Sequence, residues 1–284
     1  MPTITLNSTN IVNNPINNKL VYQFQNGGAK FNNNDIALAQ LSLYYSWFNI
    51  NQQLYNNNTC SYTWIDGTVV NITIPDGYYD AVSFNAYLES IMTNNKHYLI
   101  DTTNGEFVFY IQWETNVSYY ALQLNCYAVP STLGTLAFPS GATWTLPVSP
   151  TTPQFTVLPL PSKFSLIVGF NAGTYPAVPQ SSTYSITSQF TPEINPISSL
   201  QITCSLITNP YSTQSKILYA CGIPSIEFGQ QITITPPNFL WNKISDGIFQ
   251  SFTIDILDQN GEPIQILDPQ INLVLNIRDS GVNQ

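Results

Sequence analysis

Charge is what this sequence has least of. Asp, Glu, Lys and Arg make up 8% of its 284 residues, against about a quarter in an ordinary globular chain. Hydrophobic residues at 43% and aromatics at 13% exclude disorder as the cause. Asn, Gln, Ser and Thr take the polar positions instead. Such a surface can be buried against neighbours without desolvating many ions, and low charge favours association over repulsion. The seven basic residues, Lys19, Lys30, Lys96, Lys163, Lys216, Lys243 and Arg278, are scattered singly. No basic patch exists to displace counterions from a phosphate backbone, so direct nucleic-acid binding is not expected. The sixteen acidic residues, which bring the formal net charge to −9, read as a solvated surface.

Histidine is nearly absent. His97 stands alone, which excludes the usual His-rich zinc sites. A Ser-His-Asp triad would have to use it, yet no nucleophile-elbow pattern occurs in the chain. No Gly-rich phosphate loop is present either, and Gly27-Gly28 reads as a turn. The four cysteines, Cys60, Cys126, Cys204 and Cys221, are far apart and lack Cys-x-x-Cys spacing, so each is expected as a free thiol. No apolar run approaches the about 18 residues that span a bilayer. The amino terminus shows no basic region followed by an apolar one, so no secretory signal is expected. The sequons at Asn7, Asn57, Asn71 and Asn116 then read as products of an Asn-rich chain. Acidic spacing for calcium of the EF-hand kind is absent.

Two constellations keep other functions open. Glu106 and Glu114 flank a strand, eight apart, and would share one face if it were regular, as a glycoside hydrolase needs. They are also the polar ends of an apolar run, which is the commoner situation. Asp255 and Asp258 are expected on a solvent face and in a turn. Aromatic clusters at Tyr44-Tyr45, Trp47-Phe48, Tyr78-Tyr79 and Tyr119-Tyr120 could stack on sugars in a carbohydrate-binding or host-attachment module. In a large β-protein such rings are more often core or interface anchors.

What the chain does have is period-two alternation. Leu20, Tyr22 and Phe24 share a face, as do Val70, Ile72 and Ile74. Phe252, Ile254 and Ile256 form a clearer set, and Ile271, Leu273, Leu275 and Ile277 the clearest. Asp258-Gln259-Asn260-Gly261 between the last two is a hairpin-type turn signal. Asp101-Thr102-Thr103-Asn104-Gly105 marks a second hairpin, from 97–100 into 107–113. Further strands are predicted at 36–47, 117–126, 164–170, 200–207, 216–221 and 226–235. An antiparallel all-β sandwich or barrel follows.

One segment breaks the rule. Phe84, Tyr87, Leu88, Ile91 and Met92 recur at helical spacing, which predicts a helix over about 83–93 with Ser83 or Asp80 as N-cap, covering the end of the sandwich. Residues 127–196 hold eleven of the twenty prolines and only two charges, Lys163 and Glu193, so long central strands are excluded there. The expected organisation is an amino-terminal arm over 1–16, a first part of the sandwich over 17–126, a Pro-rich insertion over 127–197 and a second part over 198–284.

Several segments, taken in order, resemble the penton (minor capsid) proteins of virophages and Polinton-type viruses. They are Ile74-Pro-Asp-Gly-Tyr78 leading into the helix, Phe164–Phe170, Ser199–Ile207 and Lys216–Cys221. Pro236-Pro-Asn-Phe-Leu-Trp241, Ile248–Gly261 and the closing run Ile271–Ile277 complete the set. The resemblance implies a single jelly-roll antiparallel sandwich, to which the residues themselves add one short helix and an inserted Pro-rich excursion. It implies no catalysis and no cofactor or metal. Its implied partners are copies of itself in a homopentamer and a double-jelly-roll major capsid protein around it. Its implied location is the fivefold vertices of an icosahedral virion assembled in the host cytoplasm.

Overall fold

The computed structural model describes residues 2–25, 27–208 and 216–280. The chain forms two units, one of Met1–Trp47 with Ile197–Gln284 and one of Phe48–Pro196. In the first, besides short strands at Ala29–Phe31, Asn242–Lys243 and Gly247–Phe249, eight longer strands follow in order: β1 (Thr3–Asn7), β2 (Lys19–Gln23), β3 (Asn34–Tyr44), β4 (Ser199–Cys204), β5 (Ile217–Gly222), β6 (Gln231–Ile234), β7 (Ser251–Leu257) and β8 (Asn272–Asp279). They build two antiparallel sheets with spatial orders β1-β8-β3-β6 and β5-β4-β7-β2. Strand β1 thus pairs β8, β2 pairs β7, β3 pairs β6 and β4 pairs β5, as in one long ribbon doubled on itself. Wrapping that ribbon adds the pairs β8·β3 and β7·β4. This order is a jelly roll.

Alternation explains which faces meet. Phe252, Ile254 and Ile256 of β7 are buried, as are Leu273, Leu275 and Ile277 of β8. In β3 the buried set changes parity, from Ile36 and Leu38 to Leu41 and Leu43. Pairing with β8 shows why: Leu275 opposes Leu38 and Val274 opposes Gln40, leaving Ala39 unpaired. That extra residue is a β-bulge, which returns the leucines to the core face.

The turn at Asp258–Gly261 forms, but no hairpin follows it. Asp258 Oδ1 accepts from the backbone N–H groups of Asn260 and Glu262, and Gly261 N donates to Asp258 O. The chain then crosses to the other sheet, because β7 and β8 belong to different sheets. Ile264 and Ile266 are buried on the way, so the crossing adds to the core.

The expected arm over 1–16 is likewise corrected. Thr3–Asn7 pairs with Asn276 through Asn272, with Ile4 and Leu6 buried. Five residues of alternation suffice when β8 waits to receive them. The asparagines that follow cap backbone groups. Asn7 Oδ1 accepts from Thr9 N, Asn17 Nδ2 donates to Ile266 O, and Asn18 Nδ2 donates to Ile256 O.

The second unit enters between β3 and β4. One of its sheets has the order Gly173–Tyr175, Gln154–Val157, Thr59–Thr63, Val69–Thr73. A second has the order Tyr184–Thr187, Ala121–Cys126, Ile111–Asn116, and a third Leu136–Ala137, Leu99–Asp101, Phe107–Val108. The insertion therefore begins at 48, where 127 was expected. Strands from the Pro-rich half pair with strands before residue 127, which joins both halves into one unit. The Asp101–Gly105 hairpin forms between Leu99–Asp101 and Phe107–Val108. Residues 111–116 then join a different sheet.

The predicted helix runs Ala81–Asn94, with Asp80 as N-cap in a reciprocal capping box with Ser83. It buries Phe84, Leu88 and Met92 at intervals of four, and it belongs to the inserted unit, where the sequence reading placed it on the jelly roll. Asn85 lies beside the edge strand Ile111–Asn116. Its Oδ1 accepts from Trp113 N and its Nδ2 donates to Trp113 O, so the unpaired backbone there is satisfied.

The expected strand at 164–170 is a helix instead, Phe164–Val168. Phe164, Ile167 and Val168 are buried at helical spacing, and a short continuous apolar run fits either period. Gly169 ends it at φ 74, where a Cβ would collide with the carbonyl oxygen of Phe190.

Candidate functional site

Each chemically interesting residue has a place in this framework, and most are structural. His97 is buried. Its Nδ1 and Tyr62 Oη are hydrogen-bonded at 2.8 Å, and its ring stacks on Trp64 at 4.8 Å and 5°. Burial pushes the His97 pKa below 6.5, opposed by the charge of Asp66. Burial also raises the Tyr62 pKa, so the phenol keeps its proton and both groups stay uncharged. The arrangement makes His97 part of an aromatic core.

A pH signature follows from its folded pKa lying below the unfolded one. The unfolded chain then binds more protons between those two values, so stability is full above about pH 6.5 and falls as pH drops through the folded value. Thermal melts of the wild type between about pH 5 and about pH 8 are expected to show this loss. The His97→Gln variant should lack that component.

The four cysteines are free. Burial raises Cys60 and pushes Cys126 and Cys204 up to about 12 and Cys221 to about 11. They remain thiols, without the thiolate that nucleophiles and metal ligands need. Among the described residues no group of three or more His, Cys, Asp or Glu side chains could hold a metal ion.

Glu106 and Glu114 are not brought together. The strand that was to join them is broken at 109–110, and Glu106 lies in a turn where its carboxylate accepts from Asn104 Nδ2 at 2.9 Å. Glu114 sits on Ile111–Asn116 opposite Gln123. Asp255 pairs with Lys19 at 3.5 Å, and Asp258 is consumed by its turn. The aromatic clusters also divide. Tyr45 and Trp47 are buried together at 4.6 Å, with Phe228 against Tyr45. Tyr79 packs on Tyr87. Tyr119 and Tyr120 differ: each is 78% exposed, beside Val117 at 83%.

That exposed doublet tips the hairpin between Ile111–Asn116 and Ala121–Cys126. The sheet behind it is two-faced. Trp113, Leu122, Leu124 and Cys126 face the core. Cross-strand partners share a face, so Glu114, Gln123 and Thr187 stand together on the outer one, as do Gln112, Asn125 and Ser185. A hydrogen-bonded row crosses it. Asn116 Nδ2 donates to Gln123 Oε1 at 3.2 Å, Gln123 Nε2 to Asn125 Oδ1 at 3.0 Å, and Ser185 Oγ to Asn125 Oδ1 at 2.7 Å. Two open cavities, of about 300 and about 320 Å³, lie at Tyr120 and at Gln123. Alternation in Leu122–Cys126 makes this face legible in part. Its third strand, some sixty residues on, is not legible in that way.

By strand order the protein is a jelly roll carrying a second β unit between its third and fourth strands. No family model and no curated protein matches the chain. Among solved structures it is similar to the mavirus penton protein, with 11% identity and a TM-score of 0.43, over 98% of this chain and 99% of that one. It is also similar to a chain of the Sputnik virophage, with 12% identity and a TM-score of 0.35, over 98% of each.

Proposed function

We propose that this protein is a structural capsid subunit, forming the homopentameric penton at the fivefold vertices of an icosahedral virion. The strand order β1-β8-β3-β6 over β5-β4-β7-β2 carries the reading, because jelly rolls recur in viral capsids. The resemblance of the segments from Ile74 to Ile277 directs it to pentons. Composition supports assembly: with 8% charged residues, wide contacts between copies bury few ions. Head-to-tail contacts of one copy with the next close into a ring when the rotation allows. A double-jelly-roll major capsid protein would surround that ring.

The purified full-length protein is expected to sediment as a single species of five chain masses. Failing that alone, it should do so when co-expressed with a double-jelly-roll major capsid protein. A chain that stays monomeric in both settings overturns the proposal.

A further inference from the structure

We propose that Asn260 is a site of spontaneous deamidation in the folded chain, and that Asn104 is protected from the same reaction. Both residues stand in the same tripeptide, Asn-Gly-Glu, at 104–106 and 260–262. A glycine in second place leaves the attacking nitrogen unhindered, because no Cβ shields it. The two sequences are therefore equally reactive, and a difference between them has to come from the structure.

The reaction needs only water. The backbone nitrogen of the glycine, giving its proton to solvent base, attacks Cγ of the asparagine. The Cγ–Nδ2 bond breaks and the amide leaves as ammonia, closing a five-membered succinimide. Water then opens the ring at either carbonyl, which gives aspartate or isoaspartate. A carboxamide that reacts this way has to be free to turn towards the glycine nitrogen and open to solvent.

The two turns differ in that respect. At 104 both ends of the carboxamide are held. Its Oδ1 accepts from Glu106 N at 2.9 Å, and its Nδ2 donates to Glu106 Oε2 at 2.9 Å. Gly105 N also donates to Asp101 O at 2.7 Å. At 260 the holding group is Asp258 instead. Its Oδ1 accepts from Asn260 N and from Glu262 N, each at 2.8 Å, so the N–H that would fix the asparagine is already taken. The Asn260 side chain is exposed, and its carboxamide has no hydrogen-bond partner among the described residues. Gly261 N donates to Asp258 O at 3.1 Å, a longer and weaker closure than the one at Gly105.

Conversion reaches beyond the turn because the turn is tied to its neighbours. Asp258 N donates to Glu262 O at 2.9 Å. Gln259 accepts from Ser198 N at 3.0 Å and from Gln201 Nε2 at 3.1 Å. Isoaspartate lengthens the main chain between Asp258 and Glu262, so this closure is rebuilt beside the start of β4. The new carboxylate also lies between two others, where like charges repel.

The test holds the full-length protein in mildly alkaline buffer at physiological temperature and follows both sites by peptide mapping with tandem mass spectrometry. Asn260 is expected to convert faster than Asn104 by about tenfold, the effect of two hydrogen bonds on a barrier. Enzymatic methylation should identify isoaspartate at 260. Glu106→Ala, which removes the carboxylate holding Asn104 Nδ2, should speed conversion at 104. In denaturant the two sites should react alike. Equal rates in the folded chain, faster reaction at Asn104 or no conversion at Asn260 would overturn the proposal. So would an unchanged rate at 104 in Glu106→Ala, or a difference between the sites that persists in denaturant.

Discussion

Replacing Trp64 by alanine is expected to destabilise the inserted unit by about 3–5 kcal/mol, the range for emptying a large aromatic site in a core. Trp64 is 2% exposed and lies among three ring systems. Its ring stacks on His97 at 4.8 Å, meets Trp144 edge-on at 5.1 Å and meets Tyr110 at 6.2 Å. Trp144 is itself held by donation from Nε1 to Lys96 O at 2.7 Å, which leaves it little freedom to fill the space. A domain has only about 5–15 kcal/mol in hand, so the variant should sit near its unfolding threshold at ambient temperature. A second readout separates this from a general loss. With its stacking partner gone, His97 is hydrated, its pKa returns towards 6.5, and the acid-sensitive part of the melting curve disappears. Denaturant titration followed by near-ultraviolet circular dichroism, at neutral and mildly acid pH, checks both. A cost below about 1 kcal/mol would place Trp64 outside the core.

Deleting the single residue Val274 is expected to abolish folding of the jelly roll, whereas deleting Ala39 is expected to leave it folded. The difference lies in the side-chain period of a strand. Removing Val274 makes Leu273 and Leu275 neighbours, and a strand cannot turn both inwards, so Leu275 and Ile277 swing to the outer face. Each is buried and contributes about 1.5–3 kcal/mol, and the pairings Leu275–Ile4 and Leu275–Leu38 are lost with them. Because β8 is the strand between β1 and β3, both of its ladders fail together. Ala39 is the unpaired residue of the bulge. Without it, Ile36, Leu38 and the two following leucines alternate regularly against β8, and the core face is kept. Soluble yield and a cooperative thermal transition distinguish the outcomes. A folded Val274 deletion, or an unfolded Ala39 deletion, would show the register to be other than described.

Much of the jelly roll was legible because its strands carry their own signal. Phe252-Thr-Ile-Asp-Ile and Leu273-Val-Leu-Asn-Ile leave no doubt about period or buried face. The helix over Ala81–Asn94 was legible for a similar reason, since apolar spacing and an Asp80–Ser83 cap point to the same place. Phe164–Val168 was not, because so short a run, four of its five residues apolar, fits either period until Phe190 and Gly169 are seen packed together. The bulge at Ala39 was visible only as an irregularity in spacing, whose meaning depends on β8.

The outer face of the sheet behind Tyr119-Tyr120 divides in the same way. The exposure of Tyr119-Tyr120 could not be told from the burial of Tyr45 and Trp47, since aromatic doublets read alike wherever they fall. Of the polar row, the amide at Gln123 belongs to a strand whose alternation is plain. Ser185 and Thr187 reach it only through a pairing across some sixty residues. Such pairings are set by which edges remain free once the local strands have formed.

By itself, then, the sequence determined the all-β class, the turn at Asp258–Gly261, the helix and the poverty of charge, all of which are local in origin. The tertiary structure decided that β7 and β8 separate into two sheets and that the amino-terminal residues form a strand. It also decided that the insertion begins at residue 48. The physical reason is common to these: a strand's hydrogen-bonding edge accepts any partner of matching register, and only the folded arrangement of buried faces selects among them.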